Sequence, residues 1–346
     1  MDPGERIIVD NIDFSENTKV KAIHESSDSL LASSEMNIAG RERKKAWKVR
    51  ENPVFEGENR AYYPAVLKIE NNYQMWYTDK EAGEYVIKKT TSNEGVSWSE
   101  AISCEGLAGQ PNHSVVTNTG TENSPRFRVW YSDASSWPYN ENSFRTAVST
   151  DGVKWENDVQ CENLFDGGDT GEWYSSYGSG DIIYNPEEHE GIDHSDPMGN
   201  KFVLYYDIAT QNVVDPNESE VTALAYSDDG IHWHRYGNKP IIQSGENGTW
   251  DDNYTYVRGV IETQNGYEAW YSSGAKGSNE GIGHLTSKNG IEWTRDDENP
   301  ILHKEDPNAP SWRDEKTYTP VVIKEGDIYK MWFSGNYVIG FATKTS

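Results

Sequence analysis

The chain repeats itself with a period of about 60 residues, and this self-similarity constrains the fold more than any other feature. One motif reads SNEGVSW at 92–98, STDGVKW at 149–155, SDDGIHW at 227–233 and SKNGIEW at 287–293. A polar-polar-Gly turn flanked by β-branched residues and Trp is a hairpin signature, with glycine accepting a positive φ. The Trp is expected to cover the apolar face of the next strand. A second motif precedes each copy: MWYTD at 75–79, VWYSD at 129–133, LYYDI at 204–208, AWYSS at 269–273 and MWFSG at 331–335. A third lies further upstream, as YPAVLKI from Tyr63, NHSVVTN from Asn112, GDIIYN from Gly180, VRGVIET from Val257 and TPVVIKE from Thr319. Each unit therefore holds an inner, second, third and outer strand. Apolar residues alternate or run in short blocks, without helical spacing. The fold expected is all-β, a five-bladed β-propeller.

The fifth unit stops at Ser346, before any turn-plus-Trp outer strand. The missing piece stands near the beginning, where KKAWKVRENPVF (44–55) matches HWHRYGNKPII (232–242) and EWTRDDENPIL (292–302). A strand at about 46–54 is thus expected to complete the last blade and close the ring, removing an exposed sheet edge. Residues 44–346 form one propeller domain on this reading. Residues 1–43 carry no repeat and are expected to be an extension packing on the propeller, with IIVD (7–10) and KVKAI (19–23) as added strands.

Composition narrows the partners. Lys and Arg number 31 against 57 Asp and Glu, a net charge of −26, which argues against nucleic acid. No apolar run reaches the ~20 residues of a membrane helix, and no basic-then-apolar leader opens the chain. No membrane partner and a cytoplasmic location are expected. Cys104 and Cys161 each fall six residues after a repeated Trp, Trp98 and Trp155. Equivalent points on neighbouring blades lie beyond disulfide reach, so both are read as free thiols.

These three motifs, with the NPI/NPV step, resemble the five-bladed glycosidase propellers: the arabinanase/xylosidase, invertase/levansucrase and mannoside-phosphorylase families. The resemblance spans about residues 44–346. It implies carboxylates near the beginnings of the inner strands, acting across a glycosidic bond as base or nucleophile and as acid. This chain departs from that pattern. Tyr63-Pro64 stands where the arabinanase-like first strand would open with Asp-Pro, and Asn112-His113 where the second would offer Asp. Asp181 is the nearest match to the third-strand acid, and the invertase-type NDPNG, RDP and EC signatures are absent.

Candidate site residues follow from the expected strand mouths. Blade one contributes Glu58, Arg60 and Tyr63; blade two Asn112 and His113; blade three Tyr177 and Asp181; blade four Asp252, Tyr254 and Arg258; blade five Glu315 and Tyr318. Asp181 would donate a proton, or cap loop amides at a strand start. Glu58, Asp252 or Glu315 would be its base, or a solvated loop acid. Arg258 replaces Pro64 and Pro320 of the sister strands, and would hold substrate oxygens or form a buried ion pair. His113, placed at the same repeat position, would transfer protons or be structural. Tyr63, Asn112, Arg60, Tyr254, Tyr318 and Tyr177 would bind substrate. Trp173, Trp250 and Trp312 are expected in blade packing. The segment EEHEGIDHSD (187–196) reads as a solvated hairpin; no metal and no cofactor are called for. The expected function is a carbohydrate-active, glycoside hydrolase-like enzyme taking a small-molecule or oligosaccharide substrate. Two alternatives stand beside it: a lyase, isomerase or cyclase using acid/base chemistry in the funnel, and a non-catalytic glycan- or protein-binding propeller.

Overall fold

The computed structural model describes residues 19–26, 29–37, 46–136, 144–164, 173–186, 191–210, 220–237, 239–274, 280–307 and 309–346. For 19–26, 29–37, 136, 173–179, 209–210 and 220 only the backbone is described. Two compact units divide the chain, Met1–Ala46 and Trp47–Ser346. The first contains an antiparallel hairpin, Lys19–Ser26 with Ser29–Asn37, which includes the KVKAI strand. The expected IIVD strand lies outside the described residues.

The second unit is a five-bladed propeller. Blade one runs outward through Tyr62–Ile69, Asn72–Glu81, Glu84–Ser92 and Ile102–Ser103. Blade two follows with Pro111–Asn118, Phe127–Asp133, Phe144–Ser149 and Glu156–Gln160, and blade three with Trp173–Tyr184, Phe202–Thr210, Glu220–Ser227 and His234–Arg235. Blade four comprises Tyr256–Thr263, Gly266–Ser273, Gly281–Ser287 and Trp293–Arg295. In blade five, Tyr318–Glu325, Ile328–Ser334 and Val338–Thr345 are joined by Lys48–Val49 and Phe55–Glu56 from the start of the chain. Each inner strand adjoins the next, and that of blade five returns to blade one. The ring is closed.

The repeated motifs turn out to be two halves of one inter-blade latch. In the turn, Ser149 Oγ accepts from Gly152 N at 2.8 Å and Asp151 Oδ1 from Val153 N and Lys154 N, both at 2.8 Å. Ser227 and Asp229 repeat this at Gly230, and Ser287 and Asn289 at Gly290. The turn thereby aims a glycine carbonyl at the preceding blade. Trp76 Nε1 donates to Gly152 O at 2.7 Å, Trp130 to Gly230 O at 2.8 Å and Trp332 to Gly95 O at 2.7 Å. In blade three Tyr205 substitutes, its hydroxyl donating to Gly290 O at 2.7 Å. The turn tryptophans do not cover the next strand, as expected, but face the preceding blade: Trp98 meets Trp332 at 6.4 Å, and Trp233 meets Trp130 at 6.3 Å. Cys104 and Cys161 are free and point at the same carbonyls, Gly152 O and Gly230 O, at 3.6 and 3.8 Å. Burial pushes both thiols up to about 12.

The seam between blades four and five departs from this scheme, because the chain's two ends meet there. Trp270 is buried, and its Nε1 meets no acceptor among the described residues. Trp47 takes the turn tryptophan's place, edge-on to Trp270 at 6.3 Å. Backbone bonds from Arg50 N to Phe341 O and Val54 N to Ile339 O, and Trp312 Nε1 to Glu51 O at 2.7 Å, hold the early segment in place.

The latch glycines are doubly constrained. Gly152 has φ +72°, and a Cβ there would lie 2.5 Å from Trp76 Cζ2. Gly237 has φ +65° with open space around it. Gly152→Ala is expected to cost about 2–4 kcal/mol, combining left-handed strain with overpacking, whereas Gly237→Ala costs only about 1 kcal/mol for its backbone. Urea denaturation of the two variants checks the difference.

Candidate functional site

All five inner strands break register at one level, opposite the second-strand aromatic. The irregularity lies between Tyr62 and Ala65, between Asn112 and Val115, between Ser179 and Asp181, between Val257 and Gly259, and between Tyr318 and Val321. A bulge inserts one residue and re-aims the side chains around it. Three non-glycine residues there adopt left-handed backbone: Tyr63 (φ 53°), His113 (φ 50°) and Thr319 (φ 49°). Such conformations cost roughly 1 kcal/mol or more each and persist only where the surroundings enforce them. Serines of the neighbouring blades do so: Tyr63 N donates to Ser334 Oγ at 3.1 Å and Thr319 N to Ser272 Oγ at 2.7 Å. This register also corrects the alignment. His113 matches Tyr63 and Thr319, one residue before the position that Arg258 shares with Pro64 and Pro320.

The bulges gather side chains from separate blades. The rings of Tyr63 and His113 meet at 3.9 Å between centroids, Tyr318 stands edge-on to Tyr63 at 5.8 Å, and the Arg258 guanidinium lies 5.2 Å from the Tyr63 ring. Asn112 is buried and fixes the bend by accepting from His113 N at 2.9 Å. Tyr318 and Tyr254 are buried too, so they wall the cluster rather than offer a surface. Tyr254 stacks on Tyr256 at 5.2 Å. Arg60 lies over Tyr337 at 4.4 Å.

Further along the axis a cavity of about 270 Å³ is lined by Pro64, Ser114, Asp181, Arg258 and the valines of four inner strands. Asp181 and Arg258 share it; the His113 and Tyr63 rings do not line it but approach Arg258 through Tyr63. Asp181 ties two blades together, Oδ1 accepting from Ile182 N at 2.9 Å and Oδ2 from Val260 N at 2.6 Å. Burial raises its carboxyl to about 7, against the pull of the two amides and of Arg258.

The other expected acids are engaged elsewhere. Glu58 reaches Lys88 at 3.1 Å, and this buried lysine also pairs with Asp79 and Glu81. Asp252 Oδ2 closes a turn on Gly248 N at 2.7 Å, while its neighbour Asp251 binds Arg295 and Tyr271. Glu315 is exposed, its amide donating to Asn336 Oδ1. Side-chain placement of Tyr177 and Trp173 lies outside the described set. Trp250 stacks on Tyr271 at 5.7 Å and Trp312 packs on Phe333 at 5.6 Å, both as blade packing. His189 lies outside the described residues; His194 bonds Tyr226, and Asp193 and Asp196 organise local turns.

Solved structures share this architecture at low sequence identity. The BT0996 RGII complex superposes with a TM-score of 0.64, at 14% identity, over 87% of this chain and 92% of that one. Another comes from work on the GH130 family of mannoside phosphorylases, described as containing glycoside hydrolases that target β-1,2 mannosidic linkages in Candida mannan; its TM-score is 0.62, at 14% identity, over 88% and 95% of the chains. A glycosyl hydrolase from Bacteroides ovatus gives 0.55, at 16% identity, over 85% and 88%. These likenesses establish the fold. No protein-family profile matches the chain. Among curated proteins, an A type blood N-acetyl-α-D-galactosamine deacetylase of Flavonifractor plautii is 24% identical over 162 residues, 44% of this chain. The chain spans only 19% of that protein's length.

Sequence reasoning did not anticipate Thr319, Ser272 or Ser334 at this site. A small polar residue before a Pro-Val-Val strand carries no signal of left-handed backbone. The raised Asp181 pKa has a thermodynamic signature. Its ordinary value in the unfolded chain is near 3.9, so between pH 4 and 7 the folded state holds a proton that the unfolded state has lost. Stability contributed here is present below pH 4 and is lost as pH rises towards 7. Melting temperatures of wild type minus Asp181→Asn should therefore fall steadily from pH 4 to 7 and level off above. A flat difference would show an ordinary carboxyl.

Proposed function

We propose that the chain is a carbohydrate-active enzyme of glycoside hydrolase-like type, binding a small glycoside or oligosaccharide in the axial well. The observation that carries this reading is the gathering of Tyr63, His113 and Arg258 from three blades, with Arg258 also lining the cavity that Asp181 shares. Left-handed residues held at the mouth of such a well support a ligand role, because strain of this kind concentrates where function demands it. The carbohydrate chemistry named for the similarly folded structures and for the curated relative points the same way. Asp181 would act as the acid: burial keeps its proton on into the neutral range, where a donor to a departing oxygen is needed. Tyr63, His113 and Arg258 would orient hydroxyl groups, with Asn112, Tyr254 and Tyr318 holding these residues from behind. Arg60 would grip the outer part of a substrate. Two reduced thiols support a cytoplasmic location. No helix among the described residues is long and apolar enough to cross a membrane.

A specific observation favours a second reading. A glycosidase needs a second carboxyl about 5–9 Å from the first, and Glu58, Asp252 and Glu315 are bound to partners of their own or stand in solvent. Acid/base chemistry by Asp181 and His113, without hydrolysis of a glycosidic bond, needs no such pair. A panel of p-nitrophenyl glycosides separates the readings. Under the first, some member releases the phenol, and Asp181→Asn lowers kcat by about 100-fold or more while leaving the fold intact. Under the second, product analysis by NMR finds a saccharide transformed with no phenol released. Full activity in Asp181→Asn would remove this carboxyl from the mechanism.

A further inference from the structure

Three lysine or arginine side chains are buried among the described residues: Lys88, Arg258 and Arg313. Lys88 has three carboxylate partners, and Arg313 has Asp306 at 3.1 Å. Arg258 has none. It is 5% exposed, its Nε meets no acceptor, and Nη1 reaches only the Gly180 carbonyl at 3.4 Å, beyond the usual range for a good hydrogen bond. Its guanidinium also lies 5.2 Å from the centre of the Tyr63 ring. Asp181 feels this charge but forms no ion pair with it among the described residues, its two oxygens accepting from the backbone amides of Ile182 and Val260. A buried charge without an ion-pair partner is unfavourable, and this guanidinium stands at the wall of the axial cavity. A planar fork of this kind fits an oxyanion in two-point fashion.

We propose that Arg258 is the anchor for a carboxylate carried by the saccharide, so that the well takes acidic sugars in preference to neutral ones. The inference rests on the carbohydrate reading above and narrows its substrate class. It is unexpected from composition, since a surface of net charge −26 repels anions at long range; the preference comes from Arg258 instead, because Lys68, which also lines the cavity, is paired with Glu325.

The test is calorimetric titration of the full chain with glucuronate, galacturonate, glucose, galactose and inorganic sulfate. At least one uronate should bind about tenfold or more tightly than its neutral counterpart, as a hydrogen bond to a charged group implies. Arg258→Met should reduce uronate affinity about 10- to 100-fold and neutral-sugar affinity by a clearly smaller factor, so that the preference for the acid collapses, while Arg258→Lys keeps part of it. Circular dichroism verifies folding of the variants, and the wild-type comparison stands without them. Equal affinity for charged and neutral sugars overturns the proposal while leaving the carbohydrate function intact. Sulfate binding as tightly as either uronate also overturns it, assigning the fork to a free anion. No binding of any sugar in the panel counts against both.

Discussion

The structure depends on one repeated hydrogen bond: in four of the five blades an aromatic donor on the second strand reaches a glycine carbonyl on the turn of the next. The bond needs a polar-tipped aromatic ring at one end and a left-handed residue without a side chain at the other. Both requirements are met by residue types rather than by fine packing, which is why both recur so plainly. Because donor and acceptor sit on different blades, the interaction orients each sheet to its neighbour as well as stabilising it. The buried indoles supply the apolar area, and the N–H to carbonyl bond satisfies polar atoms that burial would otherwise penalise.

With the blades so held, the inner strands are free to be irregular. Their bulges all fall opposite the latch aromatics, so the rigid layer outside supports the strained layer inside. Side chains on the bulges are aimed at the axis by backbone geometry that a regular strand would not allow. Chemical variety is concentrated there: a tyrosine, a histidine, an arginine and a threonine occupy sites that regular repetition would fill alike.

Much of the architecture was legible in the primary structure because repeats expose it directly. The number of sheets, the completion of the last one by residues near 48–56, and the separated thiols all follow from comparing a chain with itself. The site was legible only in outline. Asp181, Arg258, His113 and Tyr63 were recognisable as non-repeating residues on inner strands, but their relations were not. The one-residue offset between His113 and Arg258 arises from bulges, which leave no compositional mark. Glu58 looked available because nothing in its own segment shows that Lys88, thirty positions later, lies beside it with Asp79 and Glu81. Partnerships across sheets depend on register, and register is set by the folded ring.

The seam between the fourth and fifth blades carries a consequence for how the molecule is made. Lys48 pairs with Thr343 and Val49 with Ala342, contacts that span almost the whole chain. During synthesis the earlier sheets are complete while their closing partner is still unmade, and long-range pairings of this sort form late. Until that pairing forms, the Trp47 segment lacks its partner strand and the ring is open. The axial cavity draws on the same closure, since inner strands of the first and fifth blades both line it.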